Sequence, residues 1–199
     1  MWEIEDKYRA QGHTNICGVD EAGRGPLAGR VYAAAVILPY RAEIHGLNDS
    51  KKLTEKKREE LFGTITGIAE SYAVAYASNE EVDELNILNA TYLAMNRAIE
   101  ALSARTTIAL IDGNRNTGIK YNSISIIGGD GLSASIAAAS ILAKVTRDRY
   151  MMEMSELYPE YAFEKHKGYG TKLHYERLRT HGLSEIHRAS FLKKLLNNP

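Results

Sequence analysis

The sequence predicts an α/β fold in which helices flank a mixed β-sheet. Apolar segments of strand length alternate with helical patterns along most of the chain, which is typical of this class. The first two predicted strands are joined by a glycine-containing turn, so they should pair antiparallel and make the sheet mixed. The chain has 199 residues, of which 44% are hydrophobic and 25% charged, an ordinary globular composition. We expect an α/β domain over residues 1–156 and a more basic helical extension over residues 157–199 packed on it.

Hydrophobic periodicity, capping residues and breaker residues predict the individual elements. Thr54, for example, is a favourable N-cap, and apolar residues follow it at helical spacing. Residues 79–84 are expected to form an acidic turn. Strands are predicted at residues 15–20, 30–38, 71–77, 106–111 and 123–127. Helices are predicted within residues 1–11, after residue 54, and at residues 87–103, 133–154, 172–180 and 190–196.

Composition argues against a membrane protein and against a disulfide framework. No apolar run reaches the roughly 18–20 residues needed to cross a bilayer, and the first residues carry acids where a signal peptide carries bases. Cys17 is the single cysteine, so we expect a small core residue rather than a disulfide or a cysteine-rich metal site. We therefore expect a cytoplasmic protein that acts as a monomer and has no membrane partner.

The formal net charge is zero, but the charges are unevenly distributed. Five basic residues lie within residues 51–58, and from Ile141 onward the chain has eleven Lys or Arg residues against seven Asp or Glu residues. A neutral total is therefore compatible with an acidic pocket flanked by basic surfaces that bind a polyanion.

Acidic residues follow three of the predicted strands. Asp20 and Glu21 end the first strand, Asp112 ends the strand at residues 106–111, and Asp130 ends the next one. Strand ends of an α/β sheet converge on the crevice where ligands bind. Four carboxylates without a histidine or cysteine set suit a hard cation, Mg²⁺ or Mn²⁺, rather than zinc. Two such ions, about 3.5–4 Å apart, suit the hydrolysis of a phosphodiester.

Two alternatives stay open from the residues alone. Asp112 and Asp130 are also of the type favoured in turns and at helix starts, where no ligand is involved. Neighbouring residues of a regular strand face opposite ways, so Asp20 and Glu21 share a pocket only if the strand ends at Asp20 or if Glu21 contributes indirectly. Asp20 is therefore the firmer candidate for a direct ligand.

The segment between the first two strands contains the sequence Gly23-Arg24-Gly25. Glycines allow the backbone to approach a phosphate or a sugar closely, and an arginine can hold a phosphate through two bonds. The alternative is a surface hairpin whose charges are incidental.

Five motifs in register make the chain resemble bacterial ribonuclease HII over residues 16–191. They are GVDEAGRGP at 18–26, LNDSKKL at 47–53, IDGN at 111–114, SILAKVTRD at 140–148 and HKGYGT at 166–171. The resemblance implies a ribonuclease H-like fold with a C-terminal helical extension. It also implies endonucleolytic cleavage of the RNA in RNA/DNA hybrids, and of duplex DNA on the 5′ side of an embedded ribonucleotide. The products would carry 3′-hydroxyl and 5′-phosphate ends, and the partners would be these nucleic acids.

The resemblance further implies roles for the acidic residues. The family's catalytic and metal-binding acids fall on Asp20, Glu21, Asp112 and Asp130. The sequence departs from the family pattern at residues 129–135, where glycine and serine replace the usual charged residue or proline. We expect this composition to make the loop around Asp130 more flexible.

The remaining family positions concern the substrate. The residues that would probe the 2′-hydroxyl and the adjoining phosphates are Gly23, Arg24 and Gly25, and the tyrosine that stacks on a sugar is Tyr169. For His166 and His187, contact with backbone phosphates is the alternative, and we expect structural histidines. Candidates for phosphate contacts, for most of which a solvated surface charge is an equal alternative, are Lys51, Lys52, Lys144, Lys167 and Arg188.

Two rival functions are weighed against the ribonuclease. One is another metal-dependent nuclease of the same fold, such as a resolvase or a 3′ exonuclease, and the other is a non-catalytic module that binds hybrid or duplex. Neither rival needs Gly23-Arg24-Gly25 together with Tyr169. Acids at all four positions argue against a non-catalytic module.

Overall fold

The computed structural model describes residues 1–193, which form one central β-sheet surrounded by helices. The strands are β1 (Ile16–Ala22), β2 (Val31–Ile37), β3 (Ser71–Ala77), β4 (Ile108–Asp112) and β5 (Ser123–Ile126). Their order across the sheet is β3-β2-β1-β4-β5. β1 pairs antiparallel with β2 and parallel with β4, β2 pairs antiparallel with β3, and β4 pairs parallel with β5. The predicted mixed sheet and α/β class are confirmed.

Helices cover both faces of this sheet. They are α1 (Glu3–Arg9), α2 (Glu55–Ile68), α3 (Asn79–Leu85), α4 (Ile87–Glu100), α5 (Ala134–Leu157), α6 (Phe163–His166) and α7 (Lys172–His181). The apolar face of α4 packs on one side of the sheet, and α2 and α5 pack on the other. None of the helices within residues 1–193 is both long enough and apolar enough to span a membrane.

The pleat of the central strands distributes their side chains between the two layers. Along β1, Cys17 and Val19 lie in the core beneath α4, and Cys17 is fully buried as predicted. Gly18 lies against α5, where an added Cβ would come within 2.1 Å of the Ser135 carbonyl carbon. Only glycine therefore allows α5 to lie directly on β1. This close approach carries the N-terminal half of α5 past the end of β1, where the predicted site begins.

The C-terminal residues form a third core on the second half of α5. Tyr150 and Met151 of that helix pack with Tyr161, Phe163 and Leu178, and also with residues between β1 and β2. Of the helix predicted at residues 190–196, the structure shows a 3₁₀ turn at Ala189–Phe191, and residues 194–196 lie outside the described residues.

The boundaries differ from the predictions at two informative places. Residues 79–84 belong to helix α3 rather than to a turn, because Ser78 and Glu81 form a capping box in which each side chain bonds the other's backbone N–H. β1 continues to Ala22, two residues beyond the predicted end. Asp20 and Glu21 therefore both lie within a regular strand.

Candidate active site

Three carboxylates converge at one edge of the sheet. Asp20 belongs to β1, Asp112 ends β4, and Asp130 lies in the 3₁₀ turn Gly129–Gly131 that follows β5. Each side chain offers an oxygen, and the three oxygens lie within 4.8 Å of one another. The parallel pairing of β1 with β4 and of β4 with β5 produces this convergence, because neighbouring parallel strands end at the same edge.

Asp130 is held in the cluster by its own backbone. Its N–H donates to Oδ1 of Asp112 at 3.3 Å. Gly128 adopts a left-handed conformation with φ of 65°, and an added Cβ on Gly129 would lie 2.6 Å from Cδ1 of Ile136. Gly128 and Gly129 therefore begin the tight turn that brings Asp130 to Asp112.

The electrostatics of the cluster fit a bound divalent cation. Burial raises the pKa of Asp20 well above its ordinary value, and the charges of Glu21 and Asp112 raise it further. Burial, followed by the charge of Asp112, also raises the pKa of Asp130. Lys51 Nζ lies 3.5 Å from Asp130 Oδ2, but its side chain is 76% exposed and offsets little of this repulsion. An oxygen-only set of mutually repelling carboxylates is the kind of site that binds Mg²⁺ or Mn²⁺.

The side chain of Glu21 lies beside this cluster rather than within it. Because β1 is regular through Ala22, the side chains of Asp20 and Glu21 leave opposite faces of the strand. Oε1 of Glu21 accepts a hydrogen bond from Nη1 of Arg24 at 3.3 Å. Burial raises the pKa of Glu21, whereas Arg24 lowers it. Its predicted role as a metal ligand stays a prediction.

The glycine-rich segment after β1 forms the wall next to the acids. Gly23 has φ of 102°, and an added Cβ there would lie 2.2 Å from Nε of Arg147. Glycine is therefore required both by the backbone conformation and by the space. Gly25 lies against Tyr169, whose ring would be 3.6 Å from an added Cβ.

Tyr169 lines the same cavity next to Gly25. Its side chain is 44% exposed, and the guanidinium carbon of Arg147 lies 5.7 Å from its ring centroid. The cavity has a volume of about 210 Å³. It brings together most of the predicted site residues, namely Asp20, Glu21, Gly23, Arg24, Gly25, Lys51, Asp112, Lys144 and Tyr169.

The predicted phosphate contacts separate into two groups. Lys51 and Lys144 line the cavity, although Lys144 Nζ also donates to Asp148 at 2.6 Å. Lys167 turns elsewhere, since its Nζ donates to the Glu164 carbonyl at 2.8 Å. Lys52 is exposed in the turn Ser50–Lys52.

The prediction that Arg188 contacts phosphate is wrong, because the side chain is completely buried. Its guanidinium donates to four backbone carbonyls at 2.7–3.1 Å, those of Gly23, Arg24, Pro26 and Gly29. Burial, followed by the charge of Arg147, lowers its pKa to about 9. Arg188 therefore holds the shape of the glycine-rich segment from behind and has no surface to offer a substrate.

Sequence reasoning missed three residues at the site. Arg147, which is 1% exposed, lines the cavity and donates to the carbonyls of Ala28 and Lys167. Ser140 of α5 and Ser50 share a 2.7 Å hydrogen bond, and a hydrogen bond from Ser140 offsets part of the raised pKa of Asp20. All three lie inside or beside recognised motifs, but their roles depend on contacts that spacing does not show.

Comparison with known proteins agrees with this geometry. A family model described as Ribonuclease HII matches residues 17–194. The protein named Ribonuclease HII from Caldicellulosiruptor bescii is 55% identical over 196 residues, covering 98% of this chain and 95% of that protein. The crystal structure of ribonuclease H2 from Pyrococcus horikoshii OT3 matches with a TM-score of 0.75 and 26% identity, covering 94% of this chain and 100% of that chain. Bst-RNase HIII in complex with Mn²⁺ shares the fold, with a TM-score of 0.65, 19% identity, and coverage of 84% of this chain and 63% of that chain.

Proposed function

The chain belongs to the ribonuclease HII family and is a type II ribonuclease H, and from that premise we propose its substrates and mechanism. It cuts the RNA strand of RNA/DNA hybrids, and it cuts duplex DNA on the 5′ side of an embedded ribonucleotide. The observation that carries the proposal is a single cavity lined by Asp20 and Asp112 together with residues 23–25 and Tyr169. Carboxylates suited to metal ions thus lie beside groups suited to reading a sugar.

The carboxylates provide the metal half of the site. Asp20, Asp112 and Asp130 would hold Mg²⁺ or Mn²⁺, and Glu21 lines the cavity together with Asp20 and Asp112. A pair of such ions, when bound, supplies an activated water and stabilises the leaving oxygen of a phosphodiester, giving 3′-hydroxyl and 5′-phosphate ends. The protein's part is to hold three oxygens close together before any substrate arrives. Asp20 is kept in place by the N–H of Glu21, which donates to its Oδ1 at 2.7 Å.

The loops provide the half that distinguishes RNA from DNA. The two differ by one hydroxyl on each sugar, so discrimination needs polar groups very close to the ribose. Gly25 is exposed and carries no side chain over its backbone groups, and Tyr169 presents an exposed ring next to it. A site built to hydrogen-bond a hydroxyl can reject its absence by roughly 10⁴-fold or more.

The exposed cations at the rim would contact the phosphates. The Arg24 side chain is 52% exposed and bonds only weakly to Glu21, at 3.3 Å, so it is free to exchange that carboxylate for a phosphate. Lys51 lies on the other rim of the cavity. Such contacts position a duplex without reading its sequence.

The test is a cleavage assay on three duplexes of one sequence, labelled at the 5′ end: all DNA, DNA with one ribonucleotide, and an RNA/DNA hybrid. With Mg²⁺ or Mn²⁺ we expect the ribonucleotide-containing duplex to be cut once, on the 5′ side of the ribonucleotide. The hybrid should be cut at many positions and the all-DNA duplex should stay intact, and EDTA should stop every reaction. Equal cutting of the all-DNA duplex, or full activity in EDTA, contradicts the proposal.

A further inference from the structure

Three buried histidines lie directly behind the Tyr169 loop. His166, His174 and His187 are 7%, 0% and 5% exposed, respectively. The rings of His166 and His174 stack, with centroids 4.4 Å apart. His174 Nε2 lies 3.0 Å from Nε2 of His187. These histidines belong to separate segments, so the fold brings them together.

The hydrogen-bond partners assign a tautomer to each ring. The Gly168 N–H donates to Nδ1 of His166, so Nε2 carries the proton and donates to the Tyr161 carbonyl. The Ser184 N–H donates to Nδ1 of His187, so its Nε2–H points at His174. Nε2 of His174 must then accept, and its Nδ1–H donates to the Tyr169 carbonyl at 2.9 Å.

This arrangement is complete only when all three rings are neutral. A proton added to any ring would make an N–H donor face another donor. In His166 the new Nδ1–H would face the Gly168 N–H, and in His187 it would face the Ser184 N–H. In His174 the new Nε2–H would face the Nε2–H of His187. Burial lowers the pKa of His166, and burial followed by the neighbouring histidine charges lowers that of His187 to about 4. Besides one another, the titratable and charged groups that face the rings are Tyr161, whose ring centroid lies 4.9 Å from that of His187, and Glu164 and Lys167, whose charges act on His166.

The histidines contact the backbone that carries the Tyr169 ring. The Gly168 N–H and the Tyr169 carbonyl are the groups they bind, one on each side of the residue pair. Gly168 has φ of 83°, and an added Cβ would lie 2.8 Å from the Ala28 carbonyl. His187 itself pairs with Ala28 through a β-bridge, which ties the same support to the glycine-rich segment.

We propose that His166, His174 and His187 are positioning residues for Tyr169: a neutral chain of hydrogen-bonded imidazoles sets the height and tilt of its ring over the cavity. The inference rests on the proposed function, because the sugar contact of Tyr169 belongs to it. The three rings do not touch the reacting atoms. They act by holding the Gly168 N–H and the Tyr169 carbonyl in place. Without these bonds the exposed Tyr169 ring would be free to move.

The first test needs no substitution. In the uniformly ¹⁵N-labelled wild-type protein at pH 7, imidazole nitrogen shifts should show neutral rings with the proton on Nε2 in His166 and His187. His174 should carry its proton on Nδ1, the less common tautomer. A charged ring, or the Nε2–H tautomer in His174, overturns the assigned chain and with it the proposal.

The second test is a double-mutant cycle on the duplex with one ribonucleotide. His174→Phe keeps the ring shape and removes both hydrogen bonds, so KM should rise about tenfold while kcat changes by less than about threefold. In a Tyr169→Ala background the same substitution should have no further effect on KM, because the ring that it positions is gone. A purely structural role would reduce the active fraction, and therefore kcat, in both backgrounds alike.

Matched variants keep this result interpretable. His174→Asn retains a donor near the Nδ1 position and should recover most of the lost affinity, and His181→Phe on the exposed end of α7 should match the wild type. If His174→Phe does not fold, two variants of His187 replace the pair His174→Phe and His174→Asn. His187→Phe removes the donor towards His174, and His187→Gln keeps one. Equal KM changes in both Tyr169 backgrounds overturn the positioning role. If the wild type itself cuts the all-DNA duplex as fast as the duplex with one ribonucleotide, the proposed function is refuted instead.

Discussion

The two walls of the cavity are held in place by different means. On the acidic wall, Asp20 and Asp112 take their positions from hydrogen-bonded neighbouring strands, and Asp130 from a turn bonded to Asp112. On the loop wall, residues 23–25 and Tyr169 lie outside the sheet and are held by buried side chains from the C-terminal segment, chiefly Arg188 and His174. The comparison shows that metal binding and recognition of the sugar depend on different parts of the structure. A substitution should therefore be able to disrupt either one without the other.

The electrostatics of the two walls are also opposite. The acidic wall concentrates negative charge that burial makes costly, so a cation is needed to complete it. The loop wall contains two buried arginines, Arg147 and Arg188, whose donors are directed at backbone carbonyls. Four carbonyl oxygens accept from Arg188, and two accept from Nη2 of Arg147, without adding carboxylates to a site that already repels them.

The largest effect is expected from breaking the acidic wall alone. Asp112→Asn removes one charge of the cluster and should lower the cleavage rate by about 10³-fold or more. Substrate affinity, measured by fluorescence anisotropy, should stay within about threefold because the loop wall is intact. Glu84→Gln, an exposed acid on α3, is the control for loss of one charge. Wild-type cleavage by Asp112→Asn would remove the metal half of the account.

The next largest effect is expected from breaking the loop wall from behind. Arg188→Met leaves four backbone carbonyls of residues 23–29 without their donor, which should lower the free energy of unfolding by about 3 kcal/mol or more. Urea denaturation measures the change. At a temperature where the variant is folded, KM should rise more than kcat falls. A variant with unaltered stability and KM would contradict the supporting role assigned to Arg188.

A smaller effect should appear in the pH dependence of stability. Folding raises the pKa of Asp20, so the folded protein binds more protons than the unfolded chain above pH ~4, and the wild type loses stability as pH rises through the folded pKa. Asp20→Asn lacks this penalty and keeps an oxygen for the Glu21 N–H. Without metal, the variant should therefore become progressively more stable relative to the wild type as the pH rises above about 4. Parallel stability curves would show that Asp20 is not electrostatically strained.

The acidic wall was the more predictable of the two because its cause is local. Asp20 and Asp112 follow apolar strand segments, and parallel neighbours bring such ends together whatever the remaining sequence does. The orientation of Glu21 also follows from strand alternation, once β1 is known to run to Ala22. The sequence could not show where β1 ends, because Gly23 rather than a change in polarity ends it.

The supports of the loop wall could not be predicted because their cause is distant. Arg188 bonds the Gly23 carbonyl across 165 positions of sequence, and nothing in its local composition distinguishes it from a surface cation. The expectation that His166 and His187 are structural is confirmed by their burial. Their joint contact with the Tyr169 loop depends on His174, which is brought between them only by the folded extension.

The central claim is that Asp20, Asp112 and Asp130 form one cation site, and Mn²⁺ titration tests it most directly. Thermal unfolding at pH 7 should be followed for the wild type, Asp20→Asn and the Glu84→Gln control as Mn²⁺ is added. The account predicts that the wild type and Glu84→Gln are stabilised progressively, in proportion to RT ln(1 + [Mn²⁺]/Kd), whereas Asp20→Asn gains little. Equal stabilisation of all three proteins would place the ion elsewhere and contradict the account.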